Sequence, residues 1–239
     1  MTDLKDLAIA AHGGTARWNQ LTDVSAQLIN GGVLWPLKGA PWFLEDVTIT
    51  VQLHHQEASH APFRSPLWRT FFTAERVMIV TNEGEVIEDL RHPRASFAGH
   101  TLESPWNDLQ LAYFAGYAMW TYLTAPFAFA APGFLTQEIE PWQENGETWR
   151  RLKVRYPNHI ATHSREQVFY FDRDGLLRRH DYDVEVSGSS PAAHYVTDHK
   201  EFNGIVVPTT RRVYLRQPDG SFAPEPLVVS IDLRDVSFR

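Results

Sequence analysis

The chain has 239 residues, with 22 Lys and Arg against 29 Asp and Glu, a net charge of -7 and no cysteine. A chain of this length buries roughly 70–75% of its unfolded surface without any staple. The missing thiols exclude disulfide scaffolds, thiolate zinc and iron–sulfur sites, a cysteine nucleophile and a lipidated cysteine, and the acid excess argues against a generally basic nucleic-acid surface.

The opening segment MTDLKDLAIAAHGG places acidic residues around Lys5 and offers only Leu7–Ala11 as an apolar run. A secretory signal needs basic charge ahead of a longer apolar stretch, so the expected compartment is the cytoplasm. Residues 3–12 read as a short helix closed by His12 and the Gly13-Gly14 pair. From Thr22 the period becomes two, with Val24, Ala26 and Leu28 on one face. Residues 46–55 alternate in the same way, and 68–80 read as one further strand. Asn82-Glu83-Gly84 then turns the chain into Glu85–Leu90.

A helical insertion is expected over about 104–135. Ser104-Pro105 fits an N-cap and a first helical position. Leu111, Phe114, Ala118 and Tyr122 recur at three- and four-residue spacing. No charge falls between Asp108 and Glu138, yet Pro126, Pro132 and several Thr and Tyr interrupt the stretch. A buried helix followed by an apolar plug fits it better than a membrane span, and no transmembrane anchoring is expected.

Strands return after the insertion. Leu152, Val154 and Tyr156 alternate with Arg151, Lys153 and Arg155. Residues 165–172 and 176–186 form a hairpin through Asp174-Gly175, and 193–203 pairs with 205–216 around Asn203-Gly204. Leu227, Val229, Ile231 and Leu233 mark the last strand. Long helices do not alternate with the strands, which excludes a doubly wound or parallel-barrel fold. The expected fold class is mainly β (α+β): one domain over 1–239, with a strongly curved antiparallel sheet forming an unclosed barrel around central helices.

The most informative polar segment is RRHDYDVEV. Alternation sets His180, Tyr182 and Val184 in one row and Arg179, Asp181, Asp183 and Glu185 in the other. The charged row is expected to face water. His180 and Tyr182 then point inward as hydrogen-bonded core groups, as ligand contacts, or as a catalytic pair in which His180 exchanges a proton and Tyr182 orients or stabilises charge. Phe169 and Phe171 are candidate ligand walls. Tyr113, Tyr117 and Trp120 on the helix, His100 before it, and His199 in HYVTDH complete the candidate ligand contacts. Arg179, Arg211 and Arg212 read as cross-strand partners of acidic residues on a wet outer face. His159 and His163 stand four apart on a loop or extended start and lack the HExxH pattern. Neither a GxSxG elbow nor a glycine-rich phosphate loop occurs. No metal and no cofactor is expected.

The order N-terminal helix, hairpin-rich sheet, central helices and C-terminal strands resembles the unclosed β-barrel of the bacterial lipoprotein-carrier superfamily, which is related to the fold of the violacein-biosynthesis protein. The resemblance implies an apolar cavity between sheet and helices, and it transfers no catalytic residue. The expected function is binding of a hydrophobic or aromatic small molecule or lipid in that cavity. Two alternatives stay open: a cofactor-independent isomerase, cyclase or lyase of secondary metabolism, and a structural or interaction protein with a filled core. The expected partner is the small molecule and not nucleic acid; a second copy of the chain as a homodimer partner stays open.

Overall fold

In the computed structural model, which describes residues 3–43 and 46–239, thirteen strands form one antiparallel sheet. Helix α1 (Leu4–Ala11) starts where the Asp3 carboxylate accepts from the Lys5 and Asp6 amides, and it ends at His12. A short turn of helix, α2 (Thr15–Trp18), leads into β1 (Asp23–Gly31) and then α3 (Leu34–Leu37). A first meander follows: β2 (Val47–Gln52), β3 (Glu57–Ala61), β4 (Trp68–Thr73), β5 (Arg76–Thr81) and β6 (Val86–Arg91). The long connection after it carries α4 (Asp108–Thr124) between 3-10 turns at Pro93–Phe97 and Phe127–Ala130. The second meander holds β7 (Leu135–Glu144), β8 (Glu147–Arg155), β9 (Glu166–Phe171), β10 (Leu177–Val184), β11 (Ser190–Phe202), β12 (Ile205–Leu215) and β13 (Val229–Phe238).

Within each meander, β1–β6 and β7–β13, consecutive strands pair, and β1 also pairs with β13 and so joins the two. β6 and β7 are the two outer edges. This corrects the expected strongly curved, unclosed barrel around central helices. The fold is α+β with one large open antiparallel sheet whose ends do not pair, and α4 lies along β2–β6 on one wing. Alternation marks strands one by one and groups their residues into rows; it carries no signal for the curvature of the whole sheet.

The period-two segments bury as their pattern demands: Val24, Ala26 and Leu28 in β1, and Val47, Ile49 and Val51 in β2, are all buried. The single strand expected over 68–80 is instead a hairpin, with Thr73 paired to Arg76 around Ala74-Glu75. The cap of α4 also moves. Asn107, not Ser104, accepts from the Gln110 amide at 2.9 Å while the Gln110 side chain accepts from the Asn107 amide at 3.1 Å, a reciprocal capping box. Every residue from Gln110 to Thr124 is buried, which explains why the helix carries no charge beyond Asp108. Gly116 meets Phe72 of β4 so closely that an added Cβ would lie 2.3 Å from the ring. Among the described residues no helix is long and apolar enough to cross a membrane.

Candidate functional site

One face of α4 presents Phe114, Ala115, Ala118, Met119 and Tyr122 to a cavity of about 60 Å3. Its opposite wall comes from Leu28 of β1, Val213 of β12, and Val229 and Ile231 of β13. Trp35, Leu102 and Trp106 flank the cavity. Strand alternation explains these choices, because residues two apart share the face turned to the helix. The walls are apolar almost throughout, and the phenols of Tyr122 and Tyr182 are among their few polar groups.

Those phenols belong to a buried polar cluster. The Tyr122 and Tyr182 hydroxyls lie 2.7 Å apart, and Tyr122 Oη lies 2.8 Å from Nε2 of His163. The His163 ring stacks on Tyr182 at 3.9 Å. His180 stands beside Tyr182 on the same row of β10, stacked on Phe169 at 4.0 Å. Its Nε2 donates to Gln167 Oε1 at 2.6 Å, and the Gln167 amide is fixed in turn by donating to Ser164 O. His194 of β11 faces Tyr122 at 4.5 Å with neither ring nitrogen partnered. Arg211 of β12 donates to the Tyr122 carbonyl at 2.9 Å, and its Nε has no partner.

Burial sets the protonation of this cluster. It holds His163, His180 and His194 well below the usual imidazole pKa, with neighbouring cationic groups adding to the shift. It pushes Tyr122 and Tyr182 upward. Arg211 falls to about 10 through burial and therefore keeps its charge at neutral pH.

The structure brings His180, Tyr182 and Phe169 together, packs Tyr117 against His163 of the same cluster, and scatters the other expected residues. Phe171 lies in a second apolar cluster with Leu4, Leu152 and Leu177. His199 is half-buried near His12, with ring centroids 6.4 Å apart. His100 packs edge-on against Phe97 at the approach to α4. Tyr113 borders a separate polar recess of about 250 Å3 with Glu75, Arg94 and Arg165. Tyr117 is buried against His163, its hydroxyl unpartnered. Trp120 donates to the carbonyls of Gln52 and His55 and lines an outer groove of about 790 Å3 with Trp18, Phe127 and Phe134.

The charged row of β10 is a correction. Arg179 and Asp181 are 0% and 4% exposed, not turned to water. Asp181 accepts from Arg179 Nε and Nη2 at 2.6 and 2.9 Å and from the Tyr170 hydroxyl at 2.8 Å. Arg179 also reaches Glu144 of β7 and the Gly220 carbonyl, so the edge strand and the loop after β12 cover this face. Arg211 is likewise internal, whereas Arg212 does pair across strands with Asp232. The residues missed by sequence reasoning as site members are Tyr122, His163, His194 and Arg211. Alternation of Arg211 with Thr209 and Val213 was the available signal; His163, on a loop, offered none. Among the described residues no group of His, Asp or Glu is arranged to hold a metal ion.

No family model matches the chain, and no curated protein is significantly similar to it in sequence. Solved structures do resemble it. A DUF1329 family protein from Desulfovibrio piger superposes with a TM-score of 0.53 at 12% identity, over 98% of this chain and 91% of that one. A LolA superfamily protein from Nitrosomonas europaea gives 0.52 at 11% identity, over 98% and 90%. A domain from Vibrio parahaemolyticus described as an outer membrane lipoprotein-sorting protein gives 0.51 at 12%, over 98% and 92%. The chain therefore resembles the lipoprotein-carrier superfamily in its fold, at identities too low to carry more. The cytoplasmic expectation is overturned by the same comparison, since one similar protein is described by its part in outer membrane lipoprotein sorting.

Proposed function

We propose that the protein binds an apolar small molecule or acyl chain between α4 and strands β1, β12 and β13. The observation that carries this is the asymmetry of the cavity: apolar walls, with a hydrogen-bonding cluster gathered at Tyr122 and Tyr182. Binding pockets commonly combine apolar walls with a few convergent polar groups. The cavity is narrow at rest, about 60 Å3, so a ligand enters by displacing side chains. Met119 suits that role because its unbranched thioether repacks at low cost. The fold's likeness to lipoprotein carriers supports the same reading.

Binding is favoured over proton-transfer catalysis by the direction of the pKa shifts. A general acid or base works best with a pKa near the operating pH. Burial drives His180 below that range and Tyr182 above it, so the pair serves as hydrogen-bonding groups. Native mass spectrometry of gently purified protein is expected to find an apolar molecule bound. Ala118→Trp, which fills the cavity, is expected to lose it while keeping a cooperative thermal transition. Empty spectra, together with no thermal shift across neutral and anionic apolar probes, would overturn the proposal.

A further inference from the structure

Arg211 is 1% exposed, and among the described residues no carboxylate pairs with it. The ionisable groups that favour its charge are the phenols of Tyr122 and Tyr182, both neutral at ordinary pH. Taking a guanidinium out of water is costly unless a counter-charge and a full set of acceptors meet it. Here one acceptor among the described residues, the Tyr122 carbonyl, faces five N–H donors. Beside it stands His194, 0% exposed, whose neutral ring also carries an N–H without an acceptor.

The position of these donors relates them to the cavity. Arg211 is the cross-strand partner of Ile231, and Val213 lies two residues along the same row; both line the cavity. Its hydrogen-bond partner Tyr122 lines it too. His194 is the cross-strand partner of Val213 and faces the Tyr122 ring. Arg211 and His194 do not themselves line the cavity; both pack against Tyr122, which does, the Arg211 Cζ at 5.2 Å and the His194 ring at 4.5 Å from its ring. A ligand with its apolar body along Met119, Val213 and Val229 carries its head toward them.

We propose that the ligand is an apolar acid whose anionic head is the counter-ion of Arg211, held also by the N–H of His194 and the hydroxyl of Tyr182. This rests on the cavity-binding function proposed above and names the ligand's chemical class. A carboxylate matches the planar guanidinium and accepts several hydrogen bonds at once. A phosphate monoester supplies the same kind of head from a lipid source, and the experiment separates the two.

Isothermal titration of the full chain at neutral pH with octanoate, octyl phosphate and 1-octanol compares one apolar body under three heads. At least tenfold tighter binding of an anion than of octanol is expected, with octanoate strongest for a free acid and octyl phosphate strongest for a phosphorylated lipid. In Arg211→Gln the anion-to-octanol ratio is expected to fall to about one or below, and Arg211→Lys to keep part of it. Octanol binding as tightly as both anions to the natural chain would overturn the anion assignment while leaving the cavity function standing. No binding of any of the three would count against both. The comparison within the natural chain decides the matter even if Arg211→Gln fails to fold.

Discussion

At the scale of single residues, burial against neutral partners governs the titration of this protein. His163, His180 and His194 are held well below the ordinary imidazole pKa, and His12 and His60 are lowered to about 4 and about 3 by the same cause. The unfolded chain takes up these protons near pH 6.5, where the folded chain does not, so acid favours unfolding. Stability from these groups is fully present above the unfolded pKa and is lost as pH falls from about 6.5 toward the folded values. Asp181, raised by burial, acts in the opposite sense at lower pH. Urea midpoints are expected to drop between pH 7 and pH 5; an unchanged midpoint would show that the histidines are not buried as described. Tyr182→Phe removes the 2.7 Å hydrogen bond to Tyr122 and is expected to cost about 1 kcal/mol in urea unfolding. The rows of β10 were legible from alternation, which put His180 and Tyr182 on one side. Which row water reaches was not, because Glu144 and Gly220 cover Arg179 from distant parts of the chain.

At the scale of elements, α4 links the sequence to the cavity. Its existence was legible from apolar spacing and from the run without charge; its start was not, since Ser104-Pro105 and Asn107-xx-Gln110 are both acceptable openings. The reciprocal bonds of Asn107 and Gln110 decide between them. Asn107→Ala is expected to lower stability by about 1 kcal/mol. Gly116→Ala makes the sharper test. Helix propensity alone favours alanine by about 1 kcal/mol, but the contact with Phe72 makes the exchange destabilising by about 1–3 kcal/mol. A gain in the thermal midpoint for Gly116→Ala would contradict the close packing of α4 on β4. The hairpin at Ala74-Glu75 escaped sequence reasoning because its turn contains no Gly, Pro, Asn or Asp.

At the scale of the whole molecule, two meanders meet through β1 and β13, and the connection carrying α4 runs from one outer edge strand to the other. Most strands of both meanders were legible one by one. The openness of the sheet and the packing of α4 chiefly along β2–β6 were not, because both depend on contacts between segments far apart in the chain. The same topology places β12 and β13 opposite the face of α4 that carries Ala118, Met119 and Tyr122, and so makes the cavity. Its role as the ligand site is tested most directly by crystallising the protein with 8-bromooctanoate and locating the bromine by anomalous scattering. The predicted peak lies between α4 and strands β12 and β13, within reach of Met119, Val213 and Val229. A peak confined to the outer groove of Trp18, Trp120 and Phe127, or none in the protein, would contradict it.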